Sequence, residues 1–278
     1  MNFRSIVKHI ESLPALSDTT QIVRALYAQG AENVDISKLV KAIEADVALT
    51  ANILKMINSP FYGFSKQISS ISQAVTLFGT QVVYGLVVRY SIDSAIIANL
   101  RPYGLSNSKF NDICHMQSAL VSQWYSEVNL KDAQTLAALA LIMESGKLVV
   151  AQEIVLSGSI KEFINGLKAA KNISEYENTL FGTSSYYVSG LLFEHWNLDP
   201  FYVDMLKGLD FEHDGASKLG YHIDILDAVR SAVNVFNIFT DESIEEGAVI
   251  VSDMGLDVKR FKAVCVQIKD TYSKKIVK

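Results

Sequence analysis

The side chains in this sequence that could do chemistry are five histidines and one carboxylate that interrupts an apolar run. None of the histidines follows the His-Glu-x-x-His or His-x-x-Glu-His spacing that places two metal ligands on one helix face; they are His9, His115, His195, His213 and His222. The densest polar cluster is Glu212-His213-Asp214, next to Gly215, which is typical of a solvated loop. Because a metal centre normally takes at least three protein ligands, the spacing predicts no metal site.

The carboxylate is Glu144, which follows the apolar run from Leu136 to Met143 and precedes Ser145-Gly146-Lys147. A buried carboxylate must either ionise beside a cation or take up a proton. Lys147 lies one helical turn further on and can supply the cation. The structural interpretation is an ion pair at a helix edge, and the chemical one is a ligand or a general base. We favour the structural pair, since perturbed carboxylates also arise in structural networks.

Other catalytic patterns are missing from the sequence. There is no Gly-x-Ser-x-Gly elbow, no Gly-x-x-x-x-Gly-Lys-Ser/Thr loop and no Gly-x-Gly-x-x-Gly loop, so no cofactor is predicted. Cys114 and Cys265 are the only cysteines and form no Cys-x-x-Cys, which excludes a disulfide framework and a thiolate zinc site. A reducing cytoplasm fits this usage best.

Composition restricts the classes of partner. Of the 278 residues, 49% are hydrophobic and 20% are charged, so the chain can bury a core and is not disordered. The net charge is −5, and no run of like charges marks a nucleic-acid or anionic-membrane partner. The uncharged stretch from Gln67 to Val88 contains several Ser, Thr and Gln residues and is divided by Gly79. We therefore expect two buried helices there and no membrane insertion.

These side chains must be positioned by helices, because the apolar periodicity is helical nearly throughout. One such stripe consists of Ile36, Leu39, Val40 and Ile43. Helix starts are indicated by Asp199-Pro200 and by three capping boxes, Asp18 with Gln21, Ser174 with Glu177, and Ser243 with Glu246. The sequence predicts an all-α protein of about a dozen helices. A Pro- and Gly-containing break near Tyr103 divides it into residues 1–103, an N-terminal helical subdomain, and residues 104–278, a second helical subdomain packed against it.

An aromatic turn, Asn58-Ser59-Pro60-Phe61-Tyr62-Gly63-Phe64, stands out in the N-terminal half. Its aromatic side chains could cap a core, or they could present anchors to a partner, since aromatic residues are enriched at interfaces. As a partner surface it would use Asn58, Phe61, Tyr62 and Phe64. Both interpretations stay open at this point.

Several short motifs follow one another along the chain in a distinctive order. The most specific are Ile57 to Gly63, then Ile68-Ser69-Ser70-Ile71 and Ala74-Val75-Thr76-Leu77-Phe78-Gly79. Further motifs are Leu13-Pro14, Ile43 to Leu49, Leu191 to Leu198, and Met254-Gly255-Leu256-Asp257. In this order they resemble the HDOD domain, the regulatory branch of the HD phosphohydrolase superfamily, with Val47 in place of the family's usual Pro. The resemblance is strongest over residues 13–207 and implies an HD-like helical bundle.

The resemblance also implies that the reaction centre of active relatives has been lost. His115 falls at the position of the first metal-binding His, while Met143-Glu144 aligns with the His-Asp pair that names the superfamily. Ser185 stands where another ligand His would be. His115 and Glu144 then remain as remnant positions that cannot form a metal centre alone, so no catalytic and no metal-binding residue is expected.

The function implied is a non-catalytic signal-transduction module of a bacterial cytoplasm. It would bind a signalling protein or a small regulatory ligand, with the aromatic turn as the candidate partner surface. The alternatives are a surviving metal-dependent phosphohydrolase or phosphodiesterase, and a sensor that binds a nucleotide second messenger without cleaving it. The pathway, the partner and the oligomeric state are left open.

Overall fold

The computed structural model describes residues 2–28, 30–210, 215 and 217–276. Within these ranges the chain is all-α, as predicted. No strand occurs in the described residues, and the nearest approach to one is an isolated antiparallel bridge between Val233 and Ile238. Segments with 3₁₀ geometry connect several helices, among them Pro60–Tyr62, Arg101–Tyr103 and Met143–Ser145.

The α-helices follow one another along the whole described chain. In order they are α1 Phe3–Glu11, α2 Asp18–Tyr27, α3 Ile36–Glu44, α4 Val47–Ile57, α5 Ile71–Ala95, α6 Asn107–Trp124, α7 Leu130–Ile142, α8 Gly146–Leu156, α9 Ile160–Ala169, α10 Ile173–Phe181, α11 Ser185–His195, α12 Pro200–Gly208, α13 Lys218–Ala232, α14 Asp241–Asp253 and α15 Val258–Ile276.

The helix starts show where short-range signals succeed and where they fail. Asp199 caps α12 and Pro200 is its first residue, as predicted. The three predicted capping boxes are wrong, because another capping residue stands one to three positions earlier in each case. The observed N-caps are Ser17, Asn172 and Thr240, and each accepts a hydrogen bond from a first-turn backbone N–H.

Helix α5 contains the uncharged stretch and is interrupted where the sequence indicated. Gly79 has φ 82° and ψ 167°, a backbone conformation open almost only to glycine. By length and composition this helix could cross a membrane, but 61% of its apolar window is buried inside the protein. A buried core helix of a soluble protein is compatible with both observations.

The chain forms two compact units, each built from three stretches of sequence. Unit 1 comprises Met1–Ala15, Ile92–Asp112 and Ile142–Ile223, and unit 2 comprises Leu16–Ser91, Ile113–Leu141 and Asp224–Lys278. The division into subdomains at residues 103 and 104 remains a prediction.

Unit 1 is organised around α8 and α11, which contact each other. Helix α1 contacts both of them, and α12 contacts α11. The first half of α8 is buried on all sides, including Leu148, Val149 and Val150. A helix that is apolar all round belongs to the core, so polar groups at its start must find partners inside the protein.

Unit 2 contains the contacts between α2 and α3, between α3 and α4, and between α14 and α15. Helix α2 is joined to α5 by two hydrogen bonds: the Thr20 and Ser91 hydroxyls lie 2.6 Å apart, and Tyr27 donates to the carbonyl oxygen of Thr80 at 2.6 Å. The turn Pro60–Tyr62 contacts α15. The Pro60–Tyr62 part of the aromatic turn is therefore packed within this unit.

Candidate functional site

The two remnant positions lie in different units and have different surroundings. His115 is on α6 in unit 2, whereas Glu144 is in the 3₁₀ turn before α8 in unit 1. Met143 and Ser185 also belong to unit 1. The cluster around His213 lies outside the described residues. The candidate site is therefore built first from the buried polar groups of unit 1.

Glu144 and Lys147 form a salt bridge in the interior of unit 1. The Lys147 Nζ lies 2.6 Å from Glu144 Oε2, and both side chains are completely buried. The other carboxylate oxygen, Oε1, accepts a hydrogen bond from the Tyr186 hydroxyl at 3.0 Å. This confirms that Glu144 takes Lys147 as its partner at the start of α8, and it places the pair inside the core.

The ammonium group of Lys147 has two further neighbours, both on α11. It donates a hydrogen bond to Ser185 Oγ at 2.9 Å and lies 4.2 Å from the centre of the Tyr186 ring. Burial by itself lowers the pKa of a lysine, but Glu144 and other neighbouring groups outweigh it and raise the pKa of Lys147 above its ordinary value. These neighbours therefore favour the charged ammonium form of Lys147.

Gly146 allows α8 and α11 to approach closely enough for these contacts. A Cβ atom at position 146 would lie 1.9 Å from the Ser185 carbonyl oxygen and 2.7 Å from the Ser189 nitrogen. The Gly146 N–H donates to Ser189 Oγ at 2.7 Å, and that hydroxyl donates to the Met143 carbonyl oxygen at 2.7 Å. Ser189 thus ties the turn before α8 to α11.

A second buried carboxylate, Glu177 on α10, completes the cluster. Its Oε1 accepts from the Tyr103 hydroxyl at 2.6 Å, and its Oε2 accepts from the Ser185 backbone N–H at 2.6 Å. Burial raises the pKa of Glu177, although Lys147 and these hydrogen bonds oppose the shift. Burial and the neighbouring carboxylate also raise the pKa of Tyr103 well above its ordinary value.

The buried network of unit 1 consists of Tyr103, Glu144, Lys147, Glu177, Ser185 and Tyr186. Sequence reasoning paired Glu144 with Lys147, but it did not connect them to Tyr103, Glu177 or Tyr186. No spacing signal could have done so, since Tyr103 and Glu177 are 74 residues apart. The network can hold charges and protons in fixed positions away from water.

His115 is buried in unit 2 among aromatic and cationic groups. Its Nδ1 lies 3.3 Å from the Tyr62 hydroxyl, and that hydroxyl donates to Ser118 Oγ at 3.2 Å. Burial, with the positive charges of Arg89 and Lys275, lowers the pKa of His115 from its ordinary 6.5 to about 3. His115 is therefore a neutral, packed side chain at neutral pH.

The lowered pKa of His115 predicts a pH-dependent stability. Between pH 6.5 and pH 3 the unfolded chain binds a proton that the folded chain rejects, so stability falls as the pH falls through this window. From pH 6.5 to pH 5 we expect a loss of about 2 kcal/mol from this group. Urea unfolding at both pH values checks it, with His115→Gln as the comparison. An equal pH dependence in the two proteins would contradict the assignment.

The four residues predicted to form a partner surface are not all at the surface. Phe61 is 2% exposed and Tyr62 is 6% exposed, whereas Phe64 is 45% exposed. Asn58 closes the turn: its amide nitrogen donates to the Leu54 and Ile68 carbonyl oxygens at 2.7 and 2.8 Å, and its Oδ1 accepts from the Ile68 N–H at 2.8 Å. Partner binding through these residues remains a prediction, and Phe64 is the member that can make direct contact.

A cavity of about 130 Å³ lies beside this turn within unit 2. Its rim carries three exposed apolar side chains, Phe64, Leu77 and Leu130. Among the residues that the structure describes, the rest of the lining includes no Lys, Arg or His; it consists of Tyr62, Phe78, Val82, Ser122, Gln123, Ser126, Ala133 and Gln134. The cavity therefore offers an apolar surface with uncharged polar groups and no cation for a phosphate.

Comparison with known proteins identifies relatives over most of the chain. The model of the HDOD domain family matches residues 13–209. A protein of Treponema pallidum is 36% identical over 91 residues, which are 32% of this chain and only 16% of that relative. The chain thus matches a small part of the length of that protein.

Solved structures share the fold at low sequence identity. A Marinobacter aquaeolei protein, provisionally described as a signal transduction protein, is 17% identical with a TM-score of 0.70, over 98% of this chain and 63% of that one. A Shewanella amazonensis protein, provisionally described as a metal-dependent phosphohydrolase, is 16% identical with a TM-score of 0.61, over 97% of both chains. At these identities the similarity establishes an HD-like helical fold and nothing about activity.

Proposed function

The chain belongs to the HDOD domain family, and we propose that it is an HD-superfamily signalling domain that binds a protein partner and catalyses no metal-dependent hydrolysis. The observation that carries the proposal is the salt bridge between Glu144 and Lys147. A hydrolase of this class needs an open metal site that activates water. Here the carboxylate that aligns with the superfamily's Asp is fully buried and neutralised by the chain's own lysine.

The other side chains around Glu144 also do not fit a metal centre. Its second oxygen is held by Tyr186, and both oxygens of Glu177 are engaged by Tyr103 and by the Ser185 backbone. Across the described residues, no group of three or more His, Cys, Asp and Glu side chains is placed to hold a metal ion. This donor set supports a structural role for the remnant position.

Binding of a protein, rather than of a nucleotide messenger, is supported by the cavity beside Phe64. Its apolar rim suits an apolar side chain of a partner, and such anchors dominate protein interfaces. A phosphate-bearing ligand needs cationic donors, and the described residues that line the cavity include no Lys, Arg or His. The signalling role itself follows the family membership, and the Marinobacter aquaeolei protein of similar fold bears the corresponding description.

Two assays test the proposal with the full chain purified without a histidine tag. We expect no hydrolysis of phosphomonoesters, phosphodiesters or cyclic dinucleotides in the presence of Mn²⁺, Fe²⁺ or Zn²⁺. In a pull-down on the immobilised protein, we also expect the native chain to retain a partner protein that the Phe64→Ser variant does not retain. Leu156→Ser is the matched control, since Leu156 is an exposed leucine in unit 1 and does not line the cavity.

Metal-dependent turnover that disappears in Glu144→Gln would contradict the non-catalytic role. Retention of the same partner by the native chain and by Phe64→Ser would contradict the binding surface. Stabilisation by guanosine tetraphosphate or a cyclic dinucleotide, with no protein retained, would instead favour the nucleotide sensor.

A further inference from the structure

We propose that the ammonium group of Lys147 occupies the cation position beside Glu144, so that this internal pocket accepts a primary ammonium group and not a divalent metal ion. The inference rests on the proposed non-catalytic function and deepens it by naming what the remnant site holds. The fold is shared with a protein described as metal-dependent. A difference in which cation the two proteins hold therefore has to lie in the side chains that surround the cation.

The geometry around Nζ matches the needs of an ammonium ion. An ammonium carries three N–H groups, and a carboxylate, a hydroxyl and an aromatic face are all good partners for it. Lys147 Nζ has one of each, namely Glu144 Oε2 at 2.6 Å, Ser185 Oγ at 2.9 Å and the Tyr186 ring at 4.2 Å.

The same surroundings are poor for a divalent metal ion. Such an ion takes several oxygen, nitrogen or sulfur ligands, and an aromatic face is not one of them. Glu144 Oε1 and both Glu177 oxygens already accept hydrogen bonds from other groups. A metal would be left with Glu144 Oε2 and the Ser185 hydroxyl, and there it would have to displace a cation that is covalently attached.

The Lys147 side chain cannot adopt another position in the folded unit. Its side chain is fully buried, and α8 is held against α11 by the bonds of Ser189 to Gly146 and Met143. A charged group enclosed in this way cannot move to solvent without opening the core. The cation position is therefore filled whenever the unit is folded.

The test removes the tethered cation and offers free ones of the same size. Lys147→Ala deletes three methylene groups and the ammonium group, and n-propylammonium restores those atoms. We expect n-propylammonium to raise the thermal midpoint of Lys147→Ala by about 5 °C at a hundred times its Kd. 1-Propanol, which has the same size and no charge, should raise it less. In the Glu144→Gln/Lys147→Ala double variant the preference for n-propylammonium over 1-propanol should disappear.

Equal effects of n-propylammonium and 1-propanol on Lys147→Ala would overturn the proposal. If Lys147→Ala does not fold with any solute, titration of the native chain with Mn²⁺ and Zn²⁺ decides. We expect neither Mn²⁺ nor Zn²⁺ to raise the thermal midpoint of the native chain through binding at Glu144. A metal-dependent rise in midpoint that is lost in Glu144→Gln would overturn the proposal, even where the chain shows no turnover. Turnover that survives Glu144→Gln would contradict the non-catalytic function and leave the ammonium assignment standing.

Discussion

The single variants Glu144→Gln and Lys147→Met, which each neutralise one member of the buried pair, should each lower the free energy of unfolding by about 3–5 kcal/mol. Either change leaves one charge inside unit 1 without the opposite charge that lies 2.6 Å from it, where both side chains are completely buried. An uncompensated buried charge is among the most destabilising single defects in a protein. Since whole domains are stable by about 5–15 kcal/mol, each variant loses a large part of its stability.

The double variant Glu144→Gln/Lys147→Met should be much more stable than the sum of the two single losses predicts. It removes both charges and keeps the side-chain volumes close to the original ones, and such replacements are often nearly neutral. We expect a coupling energy of about 2–3 kcal/mol, at the upper end for residues in direct contact. The Tyr186 hydroxyl can still donate to the amide oxygen that Glu144→Gln introduces, in the position now held by Glu144 Oε1.

The measurement is urea unfolding of the native chain, the two single variants and the double variant. The chain has two tryptophans, one in each unit, so a shared Trp124→Phe background leaves Trp196 as the reporter of unit 1. Fluorescence of Trp196 then follows the unit that contains the pair. Losses that simply add in the double variant would show that the two charges do not depend on each other.

The sequence was informative about the site wherever partners are close along the chain. Glu144 interrupts an apolar run and Lys147 follows one helical turn later, so their pairing could be predicted and is confirmed. The interruption of α5 at Gly79 was predicted for the same reason, because a glycine between two helical patterns is a local signal.

The rest of the site depends on contacts between distant parts of the chain. Tyr103 lies at the predicted break between the two subdomains, and its hydroxyl donates a hydrogen bond to Glu177, which is 74 residues further along the chain. Ser185 aligned with a lost ligand and in fact holds the lysine. Periodicity identifies which face of a helix is buried, but it does not say which helix will face it.

The aromatic turn shows a different limit. Asn58, Phe61, Tyr62 and Phe64 are close in sequence, and their types fit a core as well as an interface. The structure buries Phe61 and Tyr62 and leaves Phe64 partly exposed. Composition gives the apolar character of such a turn, whereas the direction of each side chain follows from the backbone of the turn and from α15, which packs on it.

Gly146→Ala should destabilise unit 1 by about 3 kcal/mol or more, although alanine is the better helix former. The new Cβ would lie 1.9 Å from the Ser185 carbonyl oxygen, which is backbone and cannot rotate away. To reach ordinary contact the helices α8 and α11 would have to separate by about 1.5 Å. That movement would break the bond from Gly146 N–H to Ser189 Oγ and lengthen the contact of Lys147 with Ser185.

Gly208→Ala is the matched control for this prediction, because Gly208 is also a helical glycine of unit 1. Its added Cβ would meet the side chain of Ile223, with Cδ1, the far end of that flexible side chain, nearest at 2.8 Å. We expect a change within about 1 kcal/mol, since the gain in helix propensity offsets the small repacking. Thermal and urea unfolding of both variants provide the comparison. Equal stability of Gly146→Ala and Gly208→Ala would contradict the prediction, because it would mean that α8 and α11 can separate at little cost. The fold would then not require the close approach that places Lys147 beside Ser185.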